Sequence, residues 1–311
     1  MPSPSQALAA VTSLFCLSAQ ASTIFTGLHT FEDSLTDAGN VFAATGGTQP
    51  DNPLGLAGRW GNGPTWAEKL ADDYLGLPAP TPSILGGTNH AWGGAWTDGG
   101  GSVPSVVEQI TTFTTGGGSF SSSDLVTIWA GANDAFQGTT DPAIPVAHLS
   151  NAMSLVSGAG AENLLIFNLP DLGKTPLSQA LGEPFVTDLT TFTSSFNALL
   201  TAEVSAQEST LGINITLLDV NGIYETVLAN PGSFGFTNVD QPVLLAGDPA
   251  NADQYLYWDA VHPTDPVHDL LAAEAARAVG IPEPSCTMLA LSASLLMMAR
   301  RRRYFSVRIK N

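Results

Sequence analysis

Ser34, Asp259 and His262 are residues whose types and spacing could do chemistry together. A serine hydroxyl is a poor nucleophile until a histidine takes its proton. That histidine needs a carboxylate to set its tautomer and stabilise the imidazolium. Ser34 follows a hydrophobic run, Ile24 to Phe31, that stops at Glu32 and Asp33. Such a run reads as a buried strand ending in a polar turn. In open α/β sheets, ligands bind beyond the carboxyl ends of strands, so a serine there is placed for attack. Asp259 and His262 are three residues apart, and a single turn can bring both side chains to one place. Taken alone, an Asp-x-x-His is more readily a local surface pair. Among the five histidines, only His262 combines a nearby acid with a helix start, since Thr264 can cap a helix running to Val279. His29 precedes the nucleophile in its own strand, and His268 falls inside the last expected helix. His90 and His148 have no carboxylate at a useful short spacing.

The elements that must position these residues alternate. Strands are expected to end near Phe31, near Gly86, at Trp129, at Asn168 and at Asp219. Helices are expected over Pro64 to Leu75, Val103 to Phe113, Ile144 to Val156, Phe185 to Leu211, Gly222 to Ala229, and from Thr264 to Val279. Pro64 suits a first turn, with Trp66, Leu70 and Tyr74 on one face. The alternation predicts an α/β fold: a three-layer α/β/α sandwich around a parallel sheet of about five strands. There is no internal repeat, and one domain over 22–280 is the simplest division.

Phe31-Glu32-Asp33-Ser34-Leu35-Thr36-Asp37-Ala38-Gly39-Asn40 resembles the nucleophile block of the GDSL, or SGNH, esterases and lipases. Glu32 stands where that family has a glycine, which adds a charge beside the serine and restricts the turn. Gly58-Arg59-Trp60-Gly61-Asn62-Gly63-Pro64 resembles a further family segment; a structural loop is expected there, with Arg59 a secondary candidate for substrate binding. Asn89 to Thr97 resembles the second block and Gly131-Ala132-Asn133-Asp134 the third. Asn168-Leu169-Pro170-Asp171-Leu172-Gly173 is similar to a segment read as structural, and Asp259-Ala260-Val261-His262-Pro263-Thr264 resembles the fifth block.

The resemblance implies the SGNH-hydrolase, flavodoxin-like fold and a serine ester hydrolase. Ser34 would attack the carbonyl, His262 would take the proton, and Asp259 would orient His262. The oxyanion hole would comprise the N–H groups of Ser34 and Gly94 with the Asn133 amide. Alignment from Asn89 makes Gly94 the donor, with Gly93 as fallback. Taken alone, a Gly-Gly pair is a turn, and Asn133 could close its own loop as an Asx-turn. The chemistry needs no cofactor and no metal. The layout is most similar to the lipase, phospholipase and thermolabile-haemolysin-like branch, which implies a small-molecule or lipid ester as substrate. An acetyl esterase acting on exported polysaccharide is the alternative substrate class. Glu32 keeps open a different function, a non-catalytic envelope binding protein on the same scaffold.

Charge and the chain ends bear on location. The net charge is −18, and six of the ten Lys and Arg lie beyond residue 299. The body is therefore strongly acidic, with no basic patch for nucleic acid or anionic lipid. The two cysteines, Cys16 and Cys286, lie in the terminal segments, so no disulfide is expected in the body. Residues 1–21 read as a secretory signal ending in Ala19-Gln20-Ala21. Residues 281–311 hold a Pro-Glu-Pro, an apolar segment over 286–299 and four arginines at 300–303. This tail resembles the PEP-CTERM sorting signal, which implies export, transient membrane contact and processing by an exosortase-type enzyme of a Gram-negative bacterium. An uncleaved anchor is the other reading, though the apolar run is shorter than the roughly 17–25 residues a full span needs.

Overall fold

The computed structural model describes residues 25–281, apart from residue 53. Four parallel strands form one sheet, in the order β1 (Gly27–Glu32), β2 (Asp124–Trp129), β3 (Asn163–Phe167) and β4 (Asn214–Leu218). Parallel neighbours need long crossovers, and here each crossover carries a helix. The helices Val106–Thr115, Ala143–Gly158 and Phe185–Leu211 lie on successive crossovers and pack in a row. The helical stretch Trp66–Lys69, continued by Leu70–Leu75, packs instead on the C-terminal helix Asp265–Ala278.

The period of two along a strand shows the two faces. Phe31 meets Phe113 of the first row of helices at 5.8 Å between ring centroids. One residue further along the register, Trp129 and Phe167 point the other way and meet Trp66 at 6.5 and 4.6 Å. These contacts make the three-layer sandwich. β2 is buried at every position, as a central strand with Leu125, Val126, Ile128 and Trp129 should be. Two helices start with reciprocal caps, Ser105 with Glu108 and Thr65 with Glu68.

The fifth strand expected near Gly86 does not form. Residues Ser83–Leu85 make a 3-10 turn, and β1 is flanked on its free side only by a bridge to Asn89. Pro78, Pro80 and Pro82 lack the N–H groups that a ladder requires. Thr264 does stand at the start of the last helix, but its hydroxyl donates to Tyr255 O at 2.5 Å rather than capping that helix.

No helix of the described residues is long and apolar enough to cross a membrane. The leader over 1–21 and the tail from residue 282 onward lie outside the described residues.

Candidate active site

The site lies at the carboxyl ends of β1 and β2. Directly after β1 the chain turns tightly, with the N–H groups of Thr36 and Asp37 both donating to Asp33 O, at 3.2 and 3.0 Å. Asp33 Oδ1 accepts the Leu35 N–H at 3.0 Å inside this turn. The turn holds Ser34 out beyond the sheet. His262 reaches it from the far end of the chain, with Nε2 2.8 Å from Ser34 Oγ and Nδ1 2.7 Å from Asp259 Oδ2. The other oxygen of Asp259 accepts the N–H groups of Val261 and His262, at 2.9 and 2.8 Å. One carboxylate therefore shapes the turn and faces the imidazole. Burial opposes the charge on Asp259, but the adjacent His262 and the two N–H donors outweigh it and hold the carboxyl below its ordinary range.

A second loop is fastened to the nucleophile turn by side chains that read main chain. Asp37 Oδ1 accepts the N–H groups of Gly39 and Asn40 at 2.8 and 2.6 Å, and Oδ2 accepts Gly93 N–H at 2.9 Å. Asn40 Nδ2 donates to the carbonyls of Asn89 and Ala91, both at 2.8 Å. Asn89 Nδ2 returns the tie by donating to Thr36 O at 2.7 Å. Gly93 has no room for a side chain, since a Cβ there would lie 2.3 Å from the Trp60 indole. Gly94 has φ +85, a conformation that favours glycine. The Gly93 N–H is thus committed to Asp37. Among the described residues, the N–H groups of Ser34 and Gly94 have no acceptor.

Asn133 comes from just beyond β2. Its Nδ2 donates to Ala95 O at 2.9 Å and, across a longer 3.3 Å, to Asp33 Oδ2. Burial pushes the Asp33 carboxyl up to about 6. Ser34, Gly94, Asn133 and His262 all line one cavity of about 150 Å³ that opens to solvent, with Asp259 behind His262. The residues picked from the sequence are thus brought together. Arg59 is not free for substrate, because Glu68 binds its guanidinium through Nε at 3.1 Å and through a second, shorter contact.

Several residues at the site carry no signal of their role in the local sequence. Trp60 leans over His262 with ring centroids 5.3 Å apart. Trp129, Phe136, Leu169, Leu172 and Val261 form much of the cavity wall. Leu169 and Leu172 belong to a segment read as purely structural; their place just past a strand's carboxyl end was the available signal. His268 is buried, and its Nδ1 accepts the Trp66 N–H at 3.1 Å, a structural role. Burial, with Lys69 and His262 nearby, lowers its pKa to about 3. His90 stacks on Phe31 at 4.5 Å, as a packing residue.

Glu32 is fully buried at the end of β1. Its Oε1 accepts from Thr127 Oγ1 at 2.5 Å, and its Oε2 makes a short contact with Thr36 Oγ1. Neither oxygen bonds His262. No described residue other than glycine has positive φ, so the position does not require the family's glycine.

Residues 30–275 match the model of the GDSL-like lipase/acylhydrolase family. The chain is similar to the phosphatidylcholine-sterol acyltransferase of Aeromonas hydrophila, at 25% identity over 81% of this chain and 89% of that protein. It is also similar to the thermolabile hemolysin of Vibrio parahaemolyticus, at 26% identity over 77% of this chain but only 60% of that protein. Among solved structures, a member of the lipolytic protein G-D-S-L family from Veillonella parvula aligns with a TM-score of 0.45 and 17% identity, covering 81% of this chain and 96% of that one.

Proposed function

The chain belongs to the GDSL-like lipase/acylhydrolase family, and from that premise we propose that it is an exported serine ester hydrolase working through Ser34, His262 and Asp259. The observation that carries this reading is the continuous path from Asp259 Oδ2 through His262 to Ser34 Oγ, with links of 2.7 and 2.8 Å, at the mouth of an apolar cavity.

The reaction runs in two halves. Ser34 Oγ attacks the ester carbonyl as its proton passes to His262 Nε2, and the carbonyl becomes an oxyanion. Asp259 holds the imidazole in register and stabilises it while it is charged. The intermediate collapses, and the departing alkoxide takes the proton from Nε2 to leave as an alcohol. Water then attacks the acyl-serine, giving its proton to the same nitrogen. The acid departs, and the proton returns to Ser34. The oxyanion is held by the N–H groups of Ser34 and Gly94 and by the Asn133 amide. Their lack of protein acceptors supports the two backbone donors, and the Asp37 bond to Gly93 speaks against the neighbouring glycine. The amide hydrogen on the long contact to Asp33 is the one an oxyanion would draw away.

Asn133→Ala is expected to lower kcat about a hundredfold to a thousandfold, with KM little changed, because the lost bond forms in the transition state. Steady-state kinetics on one ester check this; a change confined to KM would instead assign Asn133 to ground-state binding.

A lipid or similarly apolar ester fits best, given a cavity walled by Leu35, Phe136, Leu169 and Leu172 and the names of the two relatives. A p-nitrophenyl ester series from acetyl to palmitoyl tests it. Rates should rise beyond acetyl, and a sharp preference for acetyl would favour a carbohydrate deacetylase. Export through the leader, sorting through the Pro-Glu-Pro tail by an exosortase-type enzyme, and a final place outside the cell or in its envelope are proposed from the sequence features alone. The folded unit is proposed to span 22–280.

A further inference from the structure

The cavity beside Ser34 contains more hydrogen-bond donors than the protein satisfies. The Tyr224 and Tyr257 hydroxyls have no partner among the described residues, although the two side chains are only 6% and 3% exposed. Burial pushes both phenols well above their ordinary range, so they remain protonated and able to donate. A plain hydrocarbon seated against these two hydroxyls would strip them of solvent without offering a partner, which is costly, so their place along one apolar cavity points to a ligand with an acceptor. The wall includes Asp33 but no lysine or arginine, so an anionic acceptor is disfavoured.

We propose that the part of the substrate seated in this cavity carries an uncharged acceptor oxygen, such as a second carbonyl, an ether or a hydroxyl, rather than being plain hydrocarbon. This rests on Ser34 being the nucleophile of an ester hydrolase. The oxygen can come from the acyl chain or from the alcohol. In either case the surrounding apolar wall binds the carbon skeleton, and the donors select among substrates of equal length. A plain chain of that length would leave those donors buried and unpaired, which is how a polar site rejects an apolar analogue.

Two sets of esters test the idea with the full-length protein. The first compares p-nitrophenyl hexanoate with its 3-, 4- and 5-oxa analogues, each kcat/KM divided by that ester's hydroxide-catalysed rate. The second compares hexyl hexanoate with hexanoates of the corresponding oxa-alcohols, followed by proton release. At least one oxa ester should be preferred by about tenfold or more. The set that shows the preference identifies the half of the substrate in the cavity. The preference should fall toward one in at least one of Tyr224→Phe and Tyr257→Phe, with melting curves confirming that each variant is folded. Ratios near one in both sets overturn the proposal, as does a preference that both variants retain. Ser34-dependent cleavage of plain hexanoate without discrimination overturns this inference alone. Absence of any Ser34-dependent hydrolysis overturns the catalytic reading with it.

Discussion

Ser34→Ala should lower kcat on a p-nitrophenyl ester by a thousandfold or more, on the order seen when an acyl-transfer nucleophile is removed. KM should change little, because Oγ contributes to bond formation rather than to holding the substrate. The substitution removes one atom from a half-buried position, so the fold should survive it. His262→Ala should cost a similar amount. The double variant should be scarcely worse than either single one, because the two groups act as a unit. Asp259→Asn should retain more activity than the other two if the amide keeps the turn. Its Oδ1 serves two backbone donors, while Oδ2 serves the imidazole. Turnover with purified variants, alongside their melting curves, checks the set. An active Ser34→Ala protein would sink the assignment.

The second large effect is expected at Glu32. Both carboxyl oxygens are bonded to buried hydroxyls, one on β2 and one in the nucleophile turn. Glu32→Gly would remove these ties and leave a void, at a cost of about 3–5 kcal/mol. For a domain of this size that is a fall in Tm of roughly 6–20 °C. The sequence alone suggests a neutral or activating change, since glycine is the family's residue; the packing around Glu32 reverses that expectation.

Glu32 also sets a pH dependence. Burial, with Asp33 nearby, outweighs the hydrogen bonds from Thr127, Thr36 and Trp66 and raises the carboxyl from 4.5 to about 8. The folded state therefore keeps a proton that the unfolded chain releases. The associated stability is fully present below about pH 4.5 and is lost as pH rises through about 8. The total is on the order of 5 kcal/mol as an upper bound, taking 1.36 kcal/mol per unit. Glu32→Gln keeps the shape and cannot ionise. Its Tm should therefore fall less than that of the unaltered protein between pH 5 and 9. Parallel curves would show that another group titrates.

The framework was legible because its signals are local and periodic. The run into β1, the buried pattern of β2 and the long apolar spacing of the Phe185–Leu211 helix each announced an element. The reacting groups were legible because nucleophile, base and acid must be serine, histidine and carboxylate, and only a few stand at element ends. The fifth strand is absent because Pro78, Pro80 and Pro82 deny a ladder its N–H donors. The cavity wall was hidden for a different reason. Trp60, Phe136, Leu169 and Val261 come from four separate segments, and no spacing rule connects them. The role of Glu32 is not legible locally, because its hydroxyl partner Thr127 lies 95 positions away in the chain.

The ties between the nucleophile turn and its neighbouring loop have a consequence for how such an enzyme diversifies. Asp37, Asn40 and Asn89 grip carbonyl and N–H groups, which every residue except proline offers. Leu35, Phe136, Leu169 and Val261, in contrast, meet the cavity through side chains that take no part in those ties. Substitutions in the wall can therefore accumulate without displacing Ser34 from its base. Substrate range and catalytic competence are separately heritable, and descendants of one ancestor can exchange the first while keeping the second.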